Sequence, residues 1–121
     1  MQQHNQQQGL LGEEYAIAHL RSKGIHIRHV RWRYMQYELD IVAEQDGVLV
    51  VVEVKTRSSD AFGYPENAVK SKKHTAIKHA TEAYLETYDW TGEVRFDIIA
   101  VIQNASGVTI DHFEDAFYPG L

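Results

Sequence analysis

Glu38-Leu39-Asp40-Ile41-Val42-Ala43 and, after a short break, Val48-Leu49-Val50-Val51-Val52-Glu53-Val54-Lys55-Thr56 decide how this chain folds. Both runs carry β-branched and other aliphatic residues, the second five valines, and Gln45-Asp46-Gly47 lies between them. Asp-Gly between two such runs is a strong hairpin signal. If Asp46 and Gly47 alone make the turn, Gln45 faces Val48 and paired residue numbers add to 93, as 45 and 48 do. Asp40 then lies directly opposite Glu53, and Glu38 opposite Lys55. A four-residue loop slides the pairing by two and keeps these four side chains on one face, whereas a three-residue loop without a bulge separates them.

Working outward, Leu10, Ala16, Ile17 and Leu20 fall at helical spacing between Gly9 and Lys23, and Gly24 stands where a C-terminal cap belongs. The Gln-rich residues 1–8 read as a flexible polar tail, leaving residues 9–121 as one domain. Ile25 to Tyr34 reads as a strand, and Arg57 to Pro65 as a loop. A long helix is expected from about Glu66 to Tyr88, with Val69, Ala76, Ile77, Ala80, Ala83 and Tyr84 near one face. Glu93 to Ile102 and Val108 to Phe113 read as two more strands around a turn at Asn104 to Gly107. The order α-β-β-β-α-β-β predicts an α/β fold, a mixed central sheet flanked by helices.

Glu38 and Asp40 are two apart on one strand and share a face, as do Glu53 and Lys55 on the next. Two carboxylates facing each other across strands repel, so the arrangement needs a proton, a lysine or a divalent cation to compensate. Oxygen-only ligands suit Mg²⁺ or Mn²⁺ better than zinc. A lysine beside them can hold an attacking water or counter charge on a phosphoryl group. An edge hairpin with a merely solvated polar face is the plain alternative. Glu13 falls on the apolar stripe of the first helix, where a buried carboxylate would need a partner; otherwise it sits at the edge of that stripe.

Asp40 followed on the next strand by Glu53-Val54-Lys55 resembles the PD-(D/E)xK nuclease signature. The whole chain resembles the YraN-like family of uncharacterised bacterial proteins. The likeness runs through Gly12-Glu13 with Ala16, Leu20 and Gly24, then Arg31-Trp32-Arg33, Glu38-Leu39-Asp40 and Val52 to Arg57. It continues through Phe62-Gly63 with Pro65, then Ala68, Val69 and Lys73, to Arg95-Phe96-Asp97 and Ala116-Phe117. The resemblance implies a restriction-endonuclease-like fold and a metal-dependent phosphodiesterase site. Asp40 and Glu53 would be the metal ligands, joined by the carbonyl of Val54. Lys55 would be the catalytic lysine, and Glu13 and Glu38 supporting acids. The family usually has Asn where Arg31 stands and Gly where Tyr37 stands. A homodimer is a further arrangement the fold implies, although no apolar stripe identifies an interface.

The expected activity is a Mg²⁺- or Mn²⁺-dependent nuclease acting on DNA, including structured or branched DNA. The alternative is a non-catalytic nucleic-acid-binding or scaffold protein that keeps the fold. Arg31, Arg33, Arg57, Lys72 and Lys73 are the expected nucleic-acid contacts. Trp32 among the arginines suits base stacking, or else it is core and the arginines are solvated. Arg95 and Asp97 read as an ion pair fixing a strand end.

Composition narrows the remaining choices. The chain of 121 residues has no cysteine, which excludes disulfides, thiolate metal sites and cysteine nucleophiles. Its seven histidines lack ligand spacing: His26 and His29 are three apart on a strand, His74 and His79 miss the helical repeat, and His4, His19 and His112 have no neighbour in sequence. No phosphate-binding Gly-rich loop and no Gly-x-Ser-x-Gly elbow is present. No apolar run exceeds the five residues of Val48 to Val52, far too few to span a membrane, and the polar start is unlike a signal peptide, so a cytoplasmic location is expected. The net charge of −5 is unevenly spread. Residues 1–78 hold 11 of the 12 basic side chains and 9 acids, whereas residues 79–121 hold one base and eight acids. Setting Glu13, Glu38, Asp40 and Glu53 aside as a metal cluster makes the first part strongly basic, as an anionic substrate requires.

Overall fold

A computed structural model of the chain describes the backbone of residues 2–58 and 71–121 and the side chains of residues 11–58 and 72–121. The elements are α1 (Gln2–Ser22), β1 (His26–Tyr34), β2 (Tyr37–Gln45), β3 (Val48–Arg57), α2 (Ser71–Thr87), β4 (Val94–Asn104) and β5 (Gly107–Phe113). Their order is the expected one. The first helix reaches back to Gln2, through the stretch expected to be a tail. Glutamine is a good helix former and needs no apolar face to continue a helix already nucleated. The expected loop, the start of the long helix and the motif residues Phe62 to Val69 lie outside the described residues.

Helix α1 ends as Gly24 predicts. Gly24 has φ +76°, its N–H donates to the Arg21 carbonyl at 3.0 Å, and the Ile25 N–H donates to Leu20 at 3.0 Å. These two bonds form a Schellman cap, which favours glycine because the left-handed conformation crowds a Cβ.

The five strands form one sheet in the order β1-β2-β3-β4-β5. Only β3 and β4 are parallel, and α2 lies in the connection between them. Two cores form on opposite faces. Ala16 and Leu20 of α1 pack with Ile25, Ile41, Ala43, Val50, Val52, Ile99 and Val101. Ile77, Ala80 and Tyr84 of α2 pack with Leu39, Val42, Leu49, Val51, Phe96 and Ile98. Successive residues of β3 thus enter opposite cores, which accounts for its unbroken apolar run.

The β2–β3 hairpin turns at Asp46 and Gly47, with φ of 52° and 81°, and its register runs from Gln45↔Val48 to Ile41↔Val52. Each pair adds to 93, as a two-residue turn requires. The ladder stops there. Asp40 and Glu53 are therefore not cross-strand partners, nor are Glu38 and Lys55, and the direct opposition inferred from the turn is corrected. Instead, the N–H of Val54 donates to Asp40 Oδ2 at 2.9 Å, while β3 continues alone beside β4 as far as Arg57↔Ile102. Charge repulsion disfavours direct pairing of the half-buried Asp40 with the buried Glu53, and the Asp40 side chain supplies the acceptor that the ladder withdraws. Alternation on β2 breaks at the same point, because Leu39 and Ile41 enter opposite cores. On β1, Arg31 has φ 51° between the pairs Val30↔Ile41 and Trp32↔Leu39. Among the described residues no helix is long and apolar enough to cross a membrane.

Candidate active site

The fork where β2 and β3 part holds the acids singled out from sequence. Alternation along β3 sends Glu53 to the α2 face, where it is fully buried. Neither of its carboxylate oxygens takes a hydrogen bond from the described residues. Lys73 Nζ, in the first turn of α2, lies 3.2 Å from Glu53 Oε1, close enough for attraction but poorly aligned for a hydrogen bond. Burial, reinforced by the charge of Asp40, pushes the Glu53 carboxyl up to about 8. Burial raises Asp40 as well, opposed by the Val54 N–H and by Lys73 and Lys55.

Lys55 follows Glu53 by two residues and is half-buried. Burial pulls its ammonium below the ordinary lysine value, against the attraction of Glu53 and Asp40. Lys73 moves the other way, because Glu53 and Asp40 outweigh the effect of burial on it. The two lysines therefore differ in kind: Lys73 is held charged by the acids, and Lys55 is the more easily deprotonated.

The outer acids have arginine partners. Helix α1 approaches β3 closely at Gly12, where a Cβ would sit 2.1 Å from Thr56 Oγ1, and this contact brings Glu13 to the fork. Glu13 is largely buried and pairs with Arg31, the partner that a carboxylate on the apolar stripe requires. Burial still raises its carboxyl, despite Arg31. Arg33 Nε donates to Glu38 Oε2 at 3.0 Å. Arg31 adopts a left-handed backbone that Asn tolerates better than most residues, which fits the Asn expected there; Arg31 supplies the contact to Glu13 instead. Tyr37, in place of Gly, stacks on His79 of α2 with ring centroids 5.3 Å apart.

Of the five expected nucleic-acid contacts, Arg31, Arg33 and Lys73 are turned toward acids of the cluster. Arg57 and Lys72 have no ion-pair partner among the described residues, and Lys72 is exposed. Trp32 packs against the α2 core, with its ring 5.1 Å from that of Tyr84 and its Nε1–H donating to Tyr88 Oη at 3.3 Å. It is core, and Arg28 is bound to Tyr84 and Glu44 rather than solvated.

A second polar cluster, on the α1 face, escaped the sequence reading. Asp97 is fully buried and pairs with Arg95 through 2.9 and 3.0 Å bonds, as expected of an ion pair at that strand end. It also bonds His112 Nε2 at 2.8 Å and accepts the Asp115 N–H at 2.9 Å. His112 Nδ1 in turn lies 3.3 Å from His19 Nε2 and 3.2 Å from Lys23 Nζ. Burial alone would raise the Asp97 carboxyl, but His112, Arg95 and the Asp115 amide hold it below its ordinary value. His19 and His112 are far apart in sequence and carry no motif, so only the folded chain joins them.

Among the described residues, no group of three histidine, aspartate or glutamate side chains is placed to hold a metal. The fork offers a different donor set, two carboxylates plus the adjacent main-chain carbonyl of Val54. Glu53, buried and without a hydrogen bond, fits a cation-binding role.

Comparison with known proteins shows the family. Residues 12–101 match the model of the uncharacterised protein family UPF0102. A UPF0102 protein of Phocaeicola vulgatus is 48% identical over 121 residues, covering 100% of this chain and 99% of the relative. One from Bacteroides thetaiotaomicron is 46% identical over 121 residues, with the same coverage. One from Christiangramia forsetii is 42% identical over 118 residues, covering 98% of each chain.

Proposed function

The chain belongs to the uncharacterised protein family UPF0102, and on that premise we propose that it is a Mg²⁺- or Mn²⁺-dependent nuclease that hydrolyses phosphodiester bonds in DNA, including structured or branched DNA. The observation that carries the reading is Glu53, a fully buried carboxylate without a hydrogen bond from the described residues, next to Asp40 at a fork in the sheet. A purely structural acid in such a place would have its hydrogen bonds satisfied, because a buried polar group without them is costly. Two helices around a mixed sheet, with Glu53-Val54-Lys55 on a central strand, support the restriction-endonuclease-like fold.

In this reading Asp40, Glu53 and the Val54 carbonyl would hold the cation, which would supply Lewis-acid charge for phosphate oxygens and for an attacking water. The Val54 N–H fixes the Asp40 carboxylate by its 2.9 Å bond. Lys55 orients the water or counters charge on the phosphoryl oxygens. Glu13 and Glu38 keep Arg31 and Arg33 at the rim, where they can meet the phosphate backbone. The test is incubation with single-stranded, duplex, flap and four-way-junction DNA, with Mg²⁺, with Mn²⁺ and with chelator. Cleavage that requires metal and is lost in Asp40→Ala, Glu53→Ala and Lys55→Ala is the expected result. Equal cleavage by wild type and Glu53→Ala would contradict it.

One observation favours a second reading, a non-catalytic nucleic-acid-binding protein that keeps the fold: Lys73 already supplies a cation beside Glu53. Absence of Mn²⁺ binding at millimolar concentration by the folded protein would select it.

A further inference from the structure

The chain contains its own standard for a buried structural carboxylate. Asp97 and Glu53 are equally inaccessible, yet Asp97 is held by two bonds from Arg95, one from His112 and one from a backbone amide. Among the described residues Glu53 has one cation, at 3.2 Å, and no aligned donor. The difference lies in the partner. Arg95 stands two residues before Asp97 on the same strand, and its planar fork matches a carboxylate. Lys73 reaches Glu53 from another element, on a flexible stem whose side chain is 41% exposed while that of Glu53 is 0% exposed. An attraction with no directional bond and one solvent-facing partner is easily exchanged for another cation.

We propose that Lys73 is a displaceable counter-ion, the resident cation that keeps the Asp40–Glu53 fork occupied until a divalent metal takes its place. The inference rests on the metal-site reading above and adds to it a built-in competitor. Lys73 lies against Glu53 in the metal-free protein and offsets the negative charge that the Asp40–Glu53 pair carries. Its release returns the ammonium to the solvent-facing side of α2, the side from which a phosphate would approach. Lys73 thus belongs first to the acid cluster and only after exchange to the substrate. Arg31 and Arg33, already paired with Glu13 and Glu38, do not contact Glu53.

The consequence is measurable without activity. Mn²⁺ alone, titrated calorimetrically into the full chain, should bind Lys73→Met about tenfold more tightly than wild type, because a fixed positive charge no longer opposes the dication. Lys78→Met removes the same charge from the same helix without touching Glu53, and its affinity should stay within about twofold of wild type. An equal gain in both variants would reveal a general charge effect and overturn the proposal, as would unchanged or weaker binding by Lys73→Met. Acetylation mapped by mass spectrometry on the wild-type protein needs no variant. Lys73 should become several-fold more reactive on adding Mn²⁺ while Lys78 does not, and no change at Lys73 under saturating Mn²⁺ would overturn the exchange. If wild type binds Mn²⁺ and Glu53→Gln does not, a failed Lys73 result sinks the exchange alone. If neither wild type nor Lys73→Met binds Mn²⁺, the metal-site reading falls with it.

Discussion

Glu53 sets the thermodynamic character of the fork. Its folded value of about 8 lies above the ordinary 4.5, so between those values the folded chain binds a proton that the unfolded chain has lost. Stability therefore falls as pH rises from 4.5 toward 8, a loss on the order of a few kcal/mol. Glu53→Gln removes the titrating group while keeping the shape. In chelator it should unfold at higher denaturant than wild type at pH 8, by about 1–3 kcal/mol, and nearly level with it at pH 5; a gain independent of pH would contradict the burial of charge. Asp97 behaves in the opposite sense, since its lowered value makes its contribution present above the ordinary carboxylate range and lost as pH falls below it. At this scale the sequence was partly legible. Glu13 needed a partner and finds Arg31. Lys73, one of the expected nucleic-acid contacts, lies 3.2 Å from Glu53 Oε1. Its target was not legible because Glu53 lies on another element, and no local spacing pattern links the two.

Among the elements, the hairpin was the most legible, because Asp46-Gly47 permits a two-residue turn with both residues at positive φ and so dictates the register. The point where pairing stops was not. It depends on repulsion between Asp40 and Glu53 and on the Arg31 backbone, neither of which leaves a local pattern. The packing of α1 on β3 turns on one small residue. Gly12→Ala would place a methyl against Thr56 Oγ1 and should destabilise the fold by about 1–3 kcal/mol in urea unfolding, more than the helix propensity gained. Adding Thr56→Ala removes the hydroxyl and should restore most of the loss, a non-additivity that independent sites would not show.

For the whole molecule, the uneven charge and the fork belong together. Eight of the nine charged side chains of residues 79–121 are acids, and one of them, Asp97, is tied up in the cluster with Arg95 and His112. Arg57 and Lys72, two of the expected nucleic-acid contacts, have no ion-pair partner among the described residues. Their joint replacement by Gln should weaken binding to all DNA substrates alike and flatten the salt dependence by about one unit of slope per charge, as read by fluorescence anisotropy across salt. A loss confined to one substrate would instead mark a base or shape contact. The order of elements was legible in full from periodicity and turn residues, whereas the His19–His112–Asp97 cluster required the fold to bring distant residues together. The most direct test of the central claim, that the buried pair is a cation site, is the anomalous scattering map of a crystal grown with Mn²⁺. The account predicts a peak about 2.1 Å from carboxylate oxygens of both Asp40 and Glu53, with Lys73 withdrawn. A map with no peak at the fork, and Lys73 still against Glu53 at saturating Mn²⁺, would contradict it.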